Sequence, residues 1–131
     1  MRVLVVEDDR SVRETIAVVL AAYSHEAELA EGGSRALSIL EEMTAKSQWP
    51  DVMLLDLKLD GETGEEVYES IRRRFGQVPP TVVISALIEA AERVGRMPPG
   101  TRLLSKPYTV DELLSLLEQA RLSGVPSSKT A

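Results

Sequence analysis

Cysteine is absent from the 131-residue chain. Its absence excludes a disulfide framework, a zinc–thiolate site and a thiol nucleophile. Long apolar runs are missing too, and no stretch approaches the roughly 20 residues a membrane-spanning helix needs. The opening segment, MRVLVVEDD, turns acidic straight after Val6, too early for the apolar core of a signal peptide. The turn after that first run, EDDRS, contains no glycine and is negatively charged, so it does not suit the phosphates of a nucleotide. Positive charge is in deficit. The formal net charge of −6 argues against a nonspecific surface for DNA or anionic lipid. The arginine run in IRRRFG (71–76) sits at the end of a helical pattern, where it suits the negative end of the macrodipole. The expectation is a cytoplasmic protein with no direct nucleic-acid and no membrane partner.

What is present is ordinary for a globular chain: 44% hydrophobic and 27% charged residues, at a length that suits one domain with a sizeable core. The apolar runs VLVV (3–6), VMLL (52–55), TVVI (81–84) and RLL (102–104) are strand-length, and none alternates polar with apolar. Such runs fit strands buried on both faces, as in a parallel sheet covered by helices. AELA (27–30) is shorter and more polar, as an edge strand would be. Helical patterns lie between them. Ser11–Glu14 reads as a capping box before Ile16, Val19 and Leu20. Ala36, Leu37, Ile39, Leu40 and Met43 form a stripe after Gly32-Gly33. Thr63–Glu66 reads as a cap before Val67, Tyr68 and Ile71, residues 88–97 as a short helix, and Thr109–Glu112 as the cap of a last helix facing inward with Leu113, Leu114, Leu116 and Leu117. The order predicts an α/β fold: a doubly wound five-stranded parallel sheet with five helices. Residues 1–122 read as the domain and 123–131, SGVPSSKTA, as a disordered tail.

In such a sheet, ligands bind beyond the carboxyl ends of the strands. Glu7, Asp8 and Asp9 follow the first run, Asp56 ends VMLL, Ser85 follows TVVI, and Lys106 follows RLL. Each residue alone has an ordinary explanation as a cap, turn or surface charge. Together, at the ends of different strands, they form a carboxylate cluster with a hydroxyl and an ammonium beside it. Gathered carboxylates repel one another, and oxygen ligands without histidine or cysteine favour Mg²⁺ over zinc. A phosphoryl group needs a hydroxyl donor and a cation around its oxygens, and a carboxylate can be the nucleophile. The residues therefore read as Mg²⁺-dependent phosphoryl transfer onto an aspartate. His25, in a polar turn, has no setting that suggests a phosphohistidine, and Trp49 reads as loop packing.

The motifs LVVEDD (4–9), LLDLKLDGETG (54–64), VVISA (82–86) and LLSKP (103–107), in this order, resemble the receiver domains of two-component response regulators, with their flavodoxin-like (βα)5 fold. The resemblance covers residues 1–122. It implies that Asp56 accepts phosphate from a sensor histidine kinase or a histidine phosphotransfer protein. It implies that Asp8, Asp56 and the backbone carbonyl of Lys58 ligate Mg²⁺, with Glu7 acting through water. Aligned on Arg13, Glu7 and Asp8 form the acidic pair and Asp9 is an extra acid. Lys106 would neutralise the phosphoryl group beside a cis Lys106–Pro107 bond, and Ser85 and the amide of Ala86 would donate to it. Lys58 and Leu87 occupy positions where the family tunes dephosphorylation. The chain departs from the family in having Asp60 where proline is usual and Leu103 where an aromatic switch residue is usual, and in VGRMPPGTR (94–102), which predicts a shortened fourth helix.

The reading is a signalling switch, not an enzyme acting on other substrates, that signals to a downstream protein in trans as a monomer or weak homodimer. A phosphorelay intermediate or phosphate sink is the alternative. A Mg²⁺-dependent phosphatase with an aspartyl nucleophile would want an acid two residues beyond Asp56, where Lys58 stands.

Overall fold

In the computed structural model, residues 1–86 and 88–123 are described. The chain runs β1 (Arg2–Val6), α1 (Arg10–Ala22), β2 (Glu26–Ala30), α2 (Gly33–Ala45), β3 (Val52–Asp56), β4 (Lys58–Leu59), β5 (Glu62–Thr63), α3 (Gly64–Phe75), β6 (Thr81–Ser85), α4 (Ala90–Gly95), β7 (Arg102–Ser105) and α5 (Val110–Ser123). Five strands form one parallel sheet in the order β2-β1-β3-β6-β7. The chain leaves β1 on one side for β2 and on the other for β3, so strand order reverses beside β1, where a doubly wound sheet leaves its crevice.

The unbroken apolar strands are explained by burial on both faces. Val3, Val5, Val52, Leu54, Val82 and Ile84 face one cluster with Ile16 and Leu20 of α1 and Leu113 and Leu117 of α5. Their neighbours Leu4, Val6, Met53 and Leu55 face another with Ile39 and Leu40 of α2 and Val67 and Ile71 of α3. This is the period-two alternation of a strand, with both sides covered. Leu4, Leu54 and Leu55 are wholly shielded from water. Each such side chain contributes roughly 1.5–3 kcal/mol by its transfer. A small third cluster joins Leu57, Val83 and Ala90, with Val94, Met97 and Leu103 against it. Trp49 packs edge-on to Phe75 at 5.6 Å between ring centroids, which is the loop packing expected of it.

The expected elements are present, with two local corrections. Ser11 does not cap α1: Asp9 is the N-cap, accepting the N–H groups of Ser11 and Val12 and the Ser11 hydroxyl. A carboxylate two residues earlier outcompetes the hydroxyl, and Glu14 pairs instead with Arg10 at 2.9 Å. The second correction concerns the link after β3, where no strand was expected: it forms a small antiparallel hairpin of β4 and β5. The caps at Thr63 and Thr109 form as expected, each a reciprocal exchange with Glu66 and Glu112. Helix α4 is short, six residues. Helix α5 extends through Ser123, one residue into the segment read as a tail. The rest of that segment, 124–131, and Leu87 lie outside the described residues.

Candidate functional site

The carboxyl ends of the strands bring most of the expected residues together. Glu7 and Asp8 follow β1, Asp56 is the last residue of β3, Ser85 the last of β6, and Lys106 comes directly after β7. One carboxylate oxygen each from Glu7, Asp8 and Asp56 lie within 4.8 Å of one another. Lys106 Nζ stands 3.6 Å from Asp56 Oδ2 and 3.9 Å from Glu7 Oε1. Glu7, Asp56 and Ser85 are buried, whereas Asp8 is exposed. The cluster is therefore a floor of buried groups with an open side at Asp8.

The backbone holds these side chains in place. The Glu7 N–H continues the β1–β2 ladder to the Ala30 carbonyl, and Lys106 N–H donates to the Ser85 carbonyl at 3.0 Å. Arg13, the residue that marks Glu7 and Asp8 as the acidic pair, donates from Nη1 to both of their carbonyls, at 2.9 and 3.0 Å. Asp56 Oδ1 accepts the Lys58 N–H at 2.9 Å, and Glu7 Oε2 accepts the Asp9 N–H at 3.1 Å. The Lys58 side chain is exposed, while its backbone N–H meets the cluster at Asp56. Helix α3 approaches closely because its first residue has no side chain. A Cβ on Gly64 would lie 2.5 Å from the Asp56 carbonyl oxygen. The Lys106–Pro107 peptide bond is cis, as expected.

Electrostatics marks Glu7. Its carboxyl is pushed up from 4.5 to about 8, first by burial and then by the Asp56 carboxyl, with which a protonated Glu7 shares a hydrogen bond. As a carboxylate, its buried Oε1 has no hydrogen-bond donor among the described residues. A dication answers both features. The donor set is oxygen only, two of the acids are buried, and one oxygen lacks a partner, so the residues fit a hard cation such as Mg²⁺. Tyr108, half-buried beside the site, has its phenol pushed up by burial and then by the charges of Glu7 and Asp56.

A family model described as the response regulator receiver domain matches residues 3–118. The chain belongs to this family. Like other receiver domains of two-component systems, it has the five-stranded flavodoxin-like sheet. It is similar to response regulator MprA of Mycobacterium avium (strain 104), with 35% identity over 116 residues, covering 88% of this chain and 48% of that protein. MprA of Mycobacterium leprae (strain TN) is 36% identical over the same coverage. The receiver chain thus spans about half the length of the curated relatives it matches. Among solved structures, chemotaxis protein CheY4 of Vibrio cholerae superposes with a TM-score of 0.75 at 25% identity, covering 91% of this chain and 97% of that one. A receiver domain protein of Clostridium thermocellum gives 0.77 at 20% identity, covering 93% and 94%, a likeness of fold.

Two contacts of this receiver have no local sequence signal. Glu62 of the hairpin accepts the N–H of Gly33 at the start of α2, 29 residues away in sequence. Arg93 of α4 makes a two-pronged pair with Glu65 of α3, at 2.7 and 2.5 Å. Helical and strand periodicity say nothing about such distant pairs. His25 is engaged elsewhere, with Nδ1 2.8 Å from the amino terminus.

Proposed function

We propose that the chain is a phosphorylation switch in which Asp56 accepts a phosphoryl group from a phosphohistidine. The observation that supports this reading is the meeting of Asp56 with the Lys106 ammonium at 3.6 Å inside a cluster of acids. A strand-end acid with no chemical task does not need both neighbours. An oxygen of the Asp56 carboxylate attacks phosphorus, forming an O–P bond as the P–N bond to the donor imidazole breaks. The imidazole leaves with the bonding pair. Lys106 balances the charge of the phosphoryl oxygens, and the Ser85 hydroxyl and Ala86 amide donate to them once transfer is complete. Asp8, Asp56 and the Lys58 carbonyl would hold Mg²⁺, with Glu7 acting through water. The ion would supply positive charge against the repulsion between these acids and the incoming phosphoryl group.

The donor is a sensor histidine kinase or a histidine phosphotransfer protein in the cytoplasm, and the output is a downstream protein bound in trans. Phosphorylation adds about 1.5–2 negative charges at the strand ends, enough to bias a two-state arrangement of the surrounding loops. The chain catalyses only its own phosphorylation and dephosphorylation. Residues 1–122 constitute the working unit. With Leu103 packed against Leu57, Val83 and Ala90 in place of an aromatic ring, the signal leaves the site without the family's usual aromatic rotamer change.

The test is intact mass after incubation with acetyl phosphate or phosphoramidate, with and without Mg²⁺, on wild type and Asp56→Asn. A Mg²⁺-dependent gain of a single phosphoryl group that the substitution abolishes is expected. A gain that survives the substitution would assign the acceptor elsewhere, and no gain with either donor would favour an interaction module or strict dependence on a kinase.

A further inference from the structure

Helix α2 begins without a cap of its own. Its N-cap residue is Gly32, which offers no side chain to the orphan N–H groups of the first turn. The missing acceptor arrives from the β4–β5 hairpin. The Glu62 carboxylate, on β5, takes the Gly33 N–H at 2.9 Å. It lies directly over the glycine pair: a Cβ on Gly32 would be 2.8 Å from Oε2, and a Cβ on Gly33 would be 2.8 Å from Oε1. The negative carboxylate also meets the positive end of a 13-residue helix, where charge is favourable.

The consequence is for the hairpin that holds Glu62. Glu62 pairs across it with Leu59, and Thr63 pairs with Lys58. Lys58 is joined in turn to the site through its N–H on Asp56 Oδ1. Leu59 is buried in the α2–α3 core. The backbone of Lys58 is thus fixed at three points: by Asp56, by the Leu59 side chain, and through β5 by the Glu62 contact with α2. A two-residue ladder has little stability of its own, so the outer anchor matters.

We infer that Glu62 is a positioning residue for the metal site: by docking on the glycine pair at the start of α2, it holds the hairpin so that the Lys58 backbone stands ready beside Asp56. This rests on the proposed role of the acidic cluster in binding Mg²⁺. Sequence distance hides the device, because Gly33 and Glu62 are 29 residues apart.

The experiment titrates Mg²⁺ alone into the full chain, following backbone amide shifts or heat, for wild type, Glu62→Ala, Glu62→Gln, Gly33→Ala and the Glu62→Ala/Gly33→Ala pair, with Tm measured for each. Outer partners of metal ligands commonly change affinity by about 10–100-fold, so Glu62→Ala and Gly33→Ala should weaken Mg²⁺ binding on the order of tenfold. Gly33→Ala keeps every charge and pushes the carboxylate away, its Cβ meeting Glu62 Oε1 at 2.8 Å while also pressing on Val67 Cγ2 at 3.2 Å, a strain that the Tm reads separately. Glu62→Gln keeps an acceptor oxygen for the Gly33 N–H and should restore affinity. The double substitution should be no weaker than either single one, since both break one contact. Equal affinity in wild type and both alanine variants, with only Tm reduced, would overturn the inference while leaving the metal site standing. So would a Glu62→Gln variant as weak as Glu62→Ala, with Gly33→Ala unaffected, since charge alone would then explain the loss. A wild-type chain that binds no Mg²⁺ would remove the metal reading and this inference together.

Discussion

Lys106 Nζ lies between two acids, 3.6 Å from Asp56 Oδ2 and 3.9 Å from Glu7 Oε1. The lysine is about one-third exposed while the Glu7 side chain is 2% exposed. The ammonium therefore lies at the mouth of the cluster, facing the solvent from which a phosphoryl donor would come. Each distance exceeds that of a tight hydrogen bond, so the cation is placed for charge balance across the site and is not locked to one acid.

That placement makes Lys106→Ala a test of chemistry. Removing a preorganised charge partner of a transferring group commonly costs about 10²–10³-fold in rate. Phosphorylation of Asp56 by acetyl phosphate at saturating Mg²⁺ should slow by that order, and Lys106→Arg should recover part of the rate. Intact mass against time checks both. A Lys106→Ala rate equal to wild type would place the charge partner elsewhere.

Glu7 sets a pH dependence of stability in the absence of divalent metal. Its folded carboxyl is held at about 8 against an ordinary 4.5, first by burial and then by Asp56. Between those values the native state keeps a proton that the unfolded chain has released. The associated stability is fully present below 4.5 and is lost as pH rises through about 8. Urea midpoints in chelator should fall from pH 5 to about pH 8 in wild type and level off above it. Glu7→Gln, which cannot ionise, should flatten that trend. A wild-type midpoint that stays level across the range would show that Glu7 is ionised throughout.

Asp8 and Asp9 are adjacent in sequence but differ in task. Asp9 faces the first turn of α1, where its carboxylate is spoken for by Ser11 and Val12. The Ser11 hydroxyl is the main cause that holds its carboxyl below the usual range. Asp9→Ala should therefore lower Tm by about 4 °C, as loss of a cap does in a domain of this size, while Mg²⁺ affinity stays close to wild type. Asp8→Ala should do the reverse, leaving Tm unchanged or raised and abolishing Mg²⁺ binding. Paired thermal scans and Mg²⁺ titrations separate the two. Loss of Mg²⁺ binding in Asp9→Ala would return Asp9 to the metal site.

What the sequence made legible follows from the range of each physical effect. Val3–Val6, Val52–Leu55 and Thr81–Ile84 are local runs, and burial on both faces writes itself into them directly. Asp56, Ser85 and Lys106 follow from the same signal, because parallel strands deliver their ends to one edge. The α1 cap was misassigned to Ser11, since Asp9 and Ser11 are both good acceptors within one turn and only backbone direction chooses between them. Glu62 on Gly33 and Arg93 on Glu65 join elements 29 and 28 residues apart. Nothing periodic in the chain encodes those meetings. They arise only once the sheet has set the helices side by side.

Gly64 offers the sharpest test of how tightly α3 is set against the acceptor strand. A Cβ there would lie 2.5 Å from the Asp56 carbonyl oxygen and 3.0 Å from the Leu57 Cα. Both neighbours are backbone, so no side-chain rotation relieves the clash, and the Gly64 N–H is itself tied to the Leu57 carbonyl at 2.8 Å. Either α3 retreats or the end of β3 shifts, and Asp56 moves with it. Gly64→Ala should cost about 1–3 kcal/mol, the usual range for forced overpacking, and should slow phosphorylation as the carboxylate leaves its place beside Lys106. Gly95→Ala is the control, because open space surrounds that position at the end of α4. There alanine should be neutral or stabilising by up to about 1 kcal/mol through helix propensity. Denaturant unfolding and the phosphorylation rate of both variants decide the matter. Equal midpoints for Gly64→Ala and wild type would mean that α3 can withdraw freely, and the close packing against Asp56 would then have no part in holding the acceptor.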